Sequence, residues 1–271
     1  MKIMLLSNMD YLGAGNAAKK IFSMLKEEKV DVDFFVKKKK FKLSKILKLS
    51  MLEKISVFFF DIFNFISDKL LNNKISRNFN PYHKSLGWFN SPYPAIINKS
   101  NYEIIQLNWI NNFLSINDIL KIDKPLVWRL SDMWPILGIN HYEYDNSNNF
   151  LFSALEKFNL YKKKKLLNKK IKIIAPSFWI EKKIAEKIKQ SNWSVETIYT
   201  PIDDKIFKPL TEHEILLIKK KYNIDENQKI LCFCADDIND NRKGLSKIKK
   251  IFESDLINEK VLLLTIGKNK S

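Results

Sequence analysis

Residues 2–36, KIMLLSNMDYLGAGNAAKKIFSMLKEEKVDVDFFV, decide the fold class of this chain. Residues 2–6 form a short apolar run, which is typical of a strand buried in a parallel sheet. A polar loop follows, and the apolar positions of residues 16–28 then recur with the period of a helix. Residues 30–36 predict a second strand. Strand, helix and strand in this order predict a doubly wound α/β sheet.

Further strands are predicted along the next part of the chain, at residues 103–107, 125–128 and 171–175. Each ends just before a polar loop or a loop containing Pro or Trp. Ligands of open α/β sheets bind beyond the carboxyl ends of the strands, so these loops are candidate site segments.

A second unit is predicted after an irregular stretch bounded by Pro201 and Pro209. It begins with a helix at residues 212–221, followed by strands at 229–235 and 261–266. We therefore expect a Rossmann-like domain at 1–200, a connector at 201–211 and an incomplete second domain at 212–271. A crevice between two such domains is a common ligand site.

Charge limits the classes of partner. The net charge is +17, from 47 Lys+Arg against 30 Asp+Glu, and this excess by itself favours nucleic acid or an anionic membrane. Only Arg77, Arg129 and Arg242 are arginines, and arginine is the side chain that most often reads bases and forks onto phosphates. We therefore expect no nucleic-acid partner.

Cysteine usage and the N-terminus predict a cytoplasmic protein. Cys232 and Cys234 alternate along a predicted strand, a spacing that suits neither a disulfide nor a zinc site. The first apolar run turns polar at Ser7, which is too early for an export segment.

Residues 37–76 combine lysines with a Phe-rich apolar stretch at 55–66. The stretch is too short and too interrupted to span a bilayer, which needs about 20 residues. Two interpretations stay open: these helices pack on the sheet, or a basic aromatic helix lies in the membrane interface. The second makes an anionic membrane surface a partner and places the protein on the inner face of the cytoplasmic membrane.

A glycine motif, GAGNAA at residues 13–18, formally satisfies the G-x-G-x-x-A dinucleotide fingerprint. The loop before it is long for that motif, and the second strand ends in Val36-Lys37 where an acidic residue would be expected. In a chain with only six glycines, Gly13 and Gly15 predict a close approach of the backbone to an anionic or sugar ligand at a helix N-terminus. A purely structural turn is the alternative.

The stretch WRLSDMWP at residues 128–135 follows a predicted strand and leads through Gly138 to a histidine. Aromatic faces stack on apolar sugar faces and carboxylates accept hydroxyl hydrogen bonds, so this composition suits sugar recognition. Four side chains are candidates for that role: Arg129, Asp132, Trp134 and His141. The alternative is that Trp128 and Trp134 belong to the core and Asp132 caps a helix.

Residues 239–244, NDNRKG, follow the strand predicted at 229–235. Arg242 and Lys243 stand beside Gly244 ahead of a helix, which predicts a diphosphate site with one forked donor and one point charge. The alternative is an exposed basic turn.

No metal site is predicted. The sequence Asp31-Val32-Asp33 resembles the D-x-D motif of metal-dependent sugar transferases, but plain strand alternation explains it. The acidic pairs at 203–204 and 236–237 have no accompanying cluster of His or Cys.

Taken in order, these segments resemble glycosyltransferase family 4, whose fold is GT-B. The residues that carry the resemblance lie at 13–18, 128–142, 175–179, 201–209 and 242–244 and so cover most of the chain. Within the family the chain looks most like bacterial enzymes that assemble surface polysaccharides such as lipopolysaccharide.

The resemblance implies retaining transfer of a sugar from a nucleotide-diphosphate donor to a saccharide or lipid-linked acceptor, with no metal or other cofactor. It implies a catalytic place for Asp132, which would face the reacting sugars. It places Arg129, Trp134 and His141 on the acceptor side. The donor-binding residues that it implies, two of which would stabilise the leaving diphosphate, are Gly13, Gly15, Asn16, Arg242 and Lys243.

The sequence departs from the family pattern in two places. Ser131 stands where many relatives carry His, and no pair of glutamates eight positions apart follows Arg242. We therefore expect a truncated donor domain and little transfer by this chain alone. Two other functions stay open: a dinucleotide-dependent oxidoreductase, and a non-catalytic sugar- or lipid-binding remnant.

Overall fold

The computed structural model describes residues 1–73, 83–143, 149–254 and 261–268. The chain divides into two compact units, Met1–Pro201 and Ile202–Ser271. The first unit is built on a six-stranded parallel sheet and the second on a small parallel sheet, so the predicted α/β class with Rossmann-like sheets is confirmed. The assignment of an acceptor side and a donor side to the two units stays a prediction.

The sheet of the first unit has the order β2-β1-β3-β4-β5-β6, with every neighbouring pair parallel. The chain therefore moves from β1 to one edge and then returns to the other side of β1, which makes the gap between β1 and β3 the topological switch point. The strands are β1 Lys2–Met9, β2 Asp31–Lys38, β3 Ile104–Leu107, β4 Leu126–Arg129, β5 Ile171–Ala175 and β6 Trp193–Thr197.

Helices cover both faces of this sheet because alternate strand residues are apolar on each side. In β1, Leu5 packs against Phe22 and Phe34, whereas Leu6 belongs to the larger cluster on the opposite face with Ile119. Each such buried side chain stabilises the unit by about 1.5–3 kcal/mol. The helices are α1 Leu12–Glu27, α2 Met51–Leu71, α3 Tyr93–Lys99, α4 Ile116–Lys121, α5 Phe150–Leu167 and α6 Phe178–Lys187.

Helix α1 begins at Leu12, four residues earlier than predicted, so Gly13 and Gly15 lie in its first turn and not in a loop. The reason is a close contact: a Cβ on Gly15 would lie 2.7 Å from the carbonyl oxygen of Met9. Glycine at this position lets the helix begin directly against the end of β1. Leu12 itself has a φ of 60°, which is uncommon for a residue with a side chain.

The described residues of the second unit form the strands β7 Lys229–Asp237 and β8 Val261–Lys268 and the helices α7 Glu212–Lys221 and α8 Leu245–Phe252. Helix α7 has the bounds predicted for it and starts with a capping box, in which Thr211 and Glu214 bond each other's amides. It buries no residue. Cys232 and Cys234 are free and exposed.

Among the described helices, none is long and apolar enough to cross a membrane. The Phe-rich stretch predicted at 55–66 forms most of α2, while residues 74–76 of the basic segment and Arg77 lie outside the described residues.

Candidate functional site

A recess opens beyond the carboxyl ends of β3 and β4, beside the switch point. The amide of Asn108 donates to Leu6 and the amide of Asn8 donates to Trp109, so the ends of β1 and β3 are joined at its floor. Its volume is about 20 Å³, which is room for about one water molecule. The lining residues are Asn108, Trp109, Ile110, Asn111, Trp128, Leu130, Ser131, Asp132, Trp134, Pro135 and His141.

Asp132 is held in the recess from two sides. Its Oδ1 accepts the backbone N–H of Trp134 at 2.9 Å, which starts a short 3₁₀ helix at Trp134–Ile136, and its Oδ2 lies 2.6 Å from Nδ1 of His141. Asp132 thus bonds the first amide of the 3₁₀ helix, but the N-cap residue is Met133, which has no side-chain cap bond. A carboxylate has about four lone-pair sites, so two remain for a ligand hydroxyl.

His141 forms the middle of a buried relay. Its Nε2 lies 2.6 Å from the hydroxyl of Ser85, so the network is satisfied when Nδ1–H donates to Asp132 and Nε2 accepts from Ser85. Ser85 is buried and does not line the recess, so its hydroxyl orients the imidazole and is not open to a substrate. His141 accordingly positions Asp132.

Aromatic rings surround this imidazole. The rings of His83 and Trp109 lie 5.1 Å from that of His141, and the ring of Trp134 is stacked at 6.2 Å. The side-chain amide of Asn111 lies 2.9 Å from Nε2 of His83. Burial among these rings fixes the orientation of His141.

Trp134 is buried and is not an open stacking surface for a sugar. Its indole N–H donates to the carbonyl of Ser85 at 3.0 Å, and the ammonium of Lys163 lies 3.5 Å from its ring centroid. Trp128 is also buried, and its ring centroid lies 6.4 Å from that of Trp134. The core interpretation therefore describes both indoles, and an acceptor-side role of Trp134 stays a prediction.

Helix α5 holds the segment that leads into His141 by hydrogen bonds. The carboxylate of Glu156 accepts three consecutive backbone N–H groups: from Gly138 at 2.5 Å, from Ile139 at 2.7 Å and from Asn140 at 3.1 Å. Charge-assisted bonds of this kind are about twice as strong as neutral ones. They fix the backbone that leads directly into His141.

Lys163 holds the same segment two turns further along α5. Its buried ammonium donates to the carbonyls of Trp134, Leu137 and Gly138. Burial lowers the pKa of Lys163 well below its ordinary value. All three donors of the ammonium are occupied, so this lysine is a structural clamp.

Asn159 completes the polar stripe of α5. Its amide N–H₂ donates to the carbonyls of Leu86 and Gly138, and its oxygen accepts the indole N–H of Trp88. Neither Ser85 nor this stripe was predicted from the sequence. The sequence does contain a signal for this stripe. Polar residues recur at 156, 159 and 163, on the helix face that also carries Phe152.

Arg129 carries a buried charge outside the recess. It is 4% exposed, its Nη2 donates to the hydroxyl of Thr200, and its Nε has no partner. Within the described parts of the chain, no carboxylate lies within ion-pair distance of this guanidinium. Burial lowers the pKa of Arg129, and among the described side chains no carboxylate compensates its charge.

Replacing Arg129 with Met is therefore expected to stabilise the protein by about 1 kcal/mol or more, because an unpaired buried charge is removed while an apolar chain still fills the space. Urea unfolding measures this difference, and Arg129→Lys, which keeps the charge, is the matched control. A lower unfolding free energy for Arg129→Met than for Arg129→Lys would contradict this reading of the guanidinium.

The first turn of α1 carries the other candidates of this unit. Gly13 and Asn16 are exposed, whereas Gly15 is buried against the end of β1. The helix has no side-chain cap and no acidic residue in its first turn. Its leading N–H groups therefore favour an anionic ligand.

In the second unit, Arg242 and Lys243 lie in a 3₁₀ turn that ends at Gly244, whose φ of 84° favours glycine. Arg242 is paired with Asp240, with Nε 3.0 Å from Oδ1 and Nη2 2.6 Å from Oδ2. This ion pair lowers the pKa of Asp240. Lys243 is exposed.

A groove of about 270 Å³ adjoins that turn. It is lined by Ile238, Asn239, Asp240, Asn241, Leu245, Ser246 and Lys249. The groove and the neighbouring cations are the features of the second unit that suit an anionic ligand.

The described residues contain no group of three or more His, Cys, Asp or Glu side chains that could hold a metal ion. The Asp33 carboxylate of the D-x-D sequence lies in β2 and is engaged by Lys45 and by the Tyr102 hydroxyl, each at 2.6 Å. Strand alternation and these contacts explain the motif.

The first unit thus brings Asp132, Trp134 and His141 together at one recess, with Arg129 outside it and the α1 glycines at the end of a neighbouring strand. Residues 242 and 243 belong to the second unit. These features define an α/β protein with a Rossmann-like sheet and a polar cluster at its switch point.

No protein-family model and no curated protein sequence matches this chain. Its fold is similar to that of Anabaena Alr3699/HepE, whose crystal structure was determined in complex with UDP-glucose. The TM-score is 0.50 at 13% sequence identity, and the match covers 99% of this chain and 70% of that chain. At this identity the similarity shows a shared fold.

Proposed function

We propose that this chain is a nucleotide-sugar-dependent glycosyltransferase that retains the anomeric configuration. The observation that carries the proposal is the fold shared over nearly the whole chain with a protein that binds UDP-glucose. The position of the polar cluster at the switch point supports it, because ligands of open α/β sheets bind there.

In the proposed reaction the acceptor hydroxyl oxygen bonds to the anomeric carbon on the same face from which the diphosphate departs, so the configuration is retained. The bond from that carbon to the diphosphate breaks, and the hydroxyl proton passes to the departing diphosphate oxygen. The leaving group gains negative charge as this bond breaks. Arg242 and Lys243 are proposed to neutralise it, with Arg242 exchanging Asp240 for the diphosphate. In the first unit, the uncapped start of α1 with Gly13, Gly15 and Asn16 is separately proposed to bind the donor.

Asp132 is proposed to face the reacting sugars. Its carboxylate lines the recess and is held in one orientation by His141 and by the amide of Trp134. A preorganised acceptor of this kind binds hydroxyl groups without a reorganisation cost. Arg129, with its unpaired charge, is proposed to meet an anionic group on the acceptor side.

The proposed acceptor is a saccharide or a lipid-linked saccharide at the inner face of the cytoplasmic membrane, in the assembly of a surface polysaccharide. The acceptor side is proposed to lie in residues 1–200 and the donor side in residues 212–271.

Replacing Lys243 with Ala is expected to weaken binding of UDP-glucose about tenfold or more, because a charged hydrogen bond to the diphosphate is lost. Lys247→Ala in the exposed part of α8 removes the same charge and is the matched control. Titration calorimetry with UDP-, GDP- and ADP-sugars gives the dissociation constants.

Equal affinities of Lys243→Ala and Lys247→Ala for UDP-glucose would contradict the assignment of Lys243 to the donor site. Binding of NAD(P) without any sugar nucleotide would favour the oxidoreductase alternative. Acceptor binding without turnover would favour the non-catalytic remnant.

A further inference from the structure

Helix α2 turns several of its polar residues toward the protein. Asp61 pairs with the ammonium of Lys37, Asp68 lies 3.6 Å from His83, and the buried amide of Asn64 donates to the carbonyl of Phe60 within the helix. In a helix that packs on a soluble core, the apolar stripe faces inward and the polar residues face water. Here much of the inward face is polar.

The opposite face of α2 is apolar and open. Ten of its apolar side chains are between 36% and 80% exposed, which is unusual because apolar patches on monomeric proteins rarely exceed a few hundred Å². These residues, called the α2 outer face from here on, are Met51, Leu52, Ile55, Phe58, Phe59, Ile62, Phe63, Phe65, Ile66 and Leu70. Leu43 and Ile46, just before the helix, are also exposed.

The exposed charged residues of α2 are lysines. Lys54 and Lys69 are exposed, whereas the three acidic residues of α2 are only partly exposed. Two of those acids are engaged as described above, and Glu53 accepts the amide of Ser50 in the capping box that starts the helix. Lys48 adds a further exposed ammonium just before the helix.

We infer that the α2 outer face docks on an anionic lipid bilayer, with the helix lying in the plane of the interface. Its 21 residues span about 32 Å, and its Phe and Leu side chains enter the acyl boundary while the lysines meet lipid phosphates. A second copy fits this surface less well, because two such faces packed together would bring lysines against lysines.

The C-terminal end of α2 connects this surface to the recess within the same unit. Asp68 lies beside His83, whose ring packs on His141, and the side chain of Asn72 bonds both backbone groups of Lys84 next to Ser85. An acceptor carried by the bilayer would therefore arrive beside the recess. The docking inference rests on the α2 outer face alone and holds whether or not the proposed transfer takes place.

The test is flotation of the full chain with vesicles of phosphatidylcholine alone and of phosphatidylcholine with phosphatidylglycerol. We expect binding to the anionic vesicles at low salt and at least tenfold weaker binding to the neutral ones, since each lysine near an anionic surface contributes about 1 kcal/mol. The double variant Phe58→Ser/Phe65→Ser should lose at least tenfold of the binding to anionic vesicles.

The matched control is Phe150→Ser/Phe178→Ser, which removes two exposed phenylalanines outside the α2 outer face and should leave vesicle binding unchanged. Equal flotation of the two double variants, or no binding of the wild type to anionic vesicles, overturns the inference. A dimer seen by sedimentation and abolished by Phe58→Ser/Phe65→Ser would also overturn it, by giving the surface to a second copy. Titration of the same variant with UDP-glucose separates loss of docking from failure of the proposed donor site.

Discussion

Gly138→Ala is expected to lower the free energy of unfolding of the protein by about 3 kcal/mol or more, at the upper end of what overpacking costs. A Cβ at this position would lie 2.1 Å from the carbonyl oxygen of Glu156 and 2.7 Å from its carbonyl carbon. The clash is with the backbone of α5, so no side-chain rotation relieves it. Moving the helix away would stretch the bonds that Glu156, Asn159 and Lys163 make to residues 134–140.

Urea unfolding followed by circular dichroism measures this loss. Gly13→Ala is the matched control, because a Cβ there meets no atom within 4 Å and alanine is the better helix former. We expect Gly13→Ala to be neutral or slightly stabilising. If both variants unfolded at the wild-type urea concentration, the close packing of α5 on Gly138 would be refuted.

The second large effect is expected for Glu156→Ala, which should cost about 3 kcal/mol. Its removal leaves the amides of Gly138, Ile139 and Asn140 without their acceptor, and each unsatisfied buried donor costs about 1–3 kcal/mol, of which entering water recovers a part. The same change should loosen the approach to His141.

The control for this variant is Glu186→Ala, which removes an exposed carboxylate from α6. Glu156→Gln, which keeps one acceptor oxygen, should lie between Glu156→Ala and the wild type. Thermal unfolding ranks the three variants. A melting temperature of Glu156→Ala equal to that of Glu186→Ala would show that the clamp contributes nothing to stability.

Strands β1 to β5 could be predicted from the sequence because burial in a parallel sheet favours runs rich in apolar residues. Strands β7 and β8 were predicted from similar runs although most of their residues are exposed, and β6 at Trp193–Thr197 was not predicted. Residues 3–6 of β1 form such a run, and residues 171–175 are apolar except for the exposed Lys172; the predicted strand at 171–175 has the observed bounds. Local chemistry also placed the loop with Asp132 and His141 at the end of a strand. Each predicted strand, and the loop with Asp132 and His141, is indicated by a pattern that spans about ten residues or fewer of the sequence.

The parts that were missed depend on distant segments. Ser85 reaches His141 across 56 residues, and Glu156 reaches Gly138 from a different element. No local pattern encodes these distances, because the sheet topology sets them. The burial of Trp128 and Trp134 could not be predicted for the same reason: the sequence contains both indoles but does not show which elements cover them.

The position of α2 gives an intermediate case. Its composition predicted a basic, Phe-rich helix and left two environments open. The contacts of Asp61 and Asp68 determine which side faces the protein, and these depend on Lys37 and His83, 24 and 15 positions away. Amphipathic periodicity alone cannot give this direction.

The insertion of β3 beside β1 has a consequence for how the chain folds during its synthesis. Ile3 pairs with Ile104, so the centre of the sheet cannot close until more than a hundred residues have left the ribosome. At translation rates of about 5–20 residues per second, the first strand waits for roughly 5–20 seconds with only β2 beside it. Such non-local pairing makes folding slow. During this time the apolar strand β1 lacks one of its neighbours, and chaperones bind exposed apolar segments of this kind.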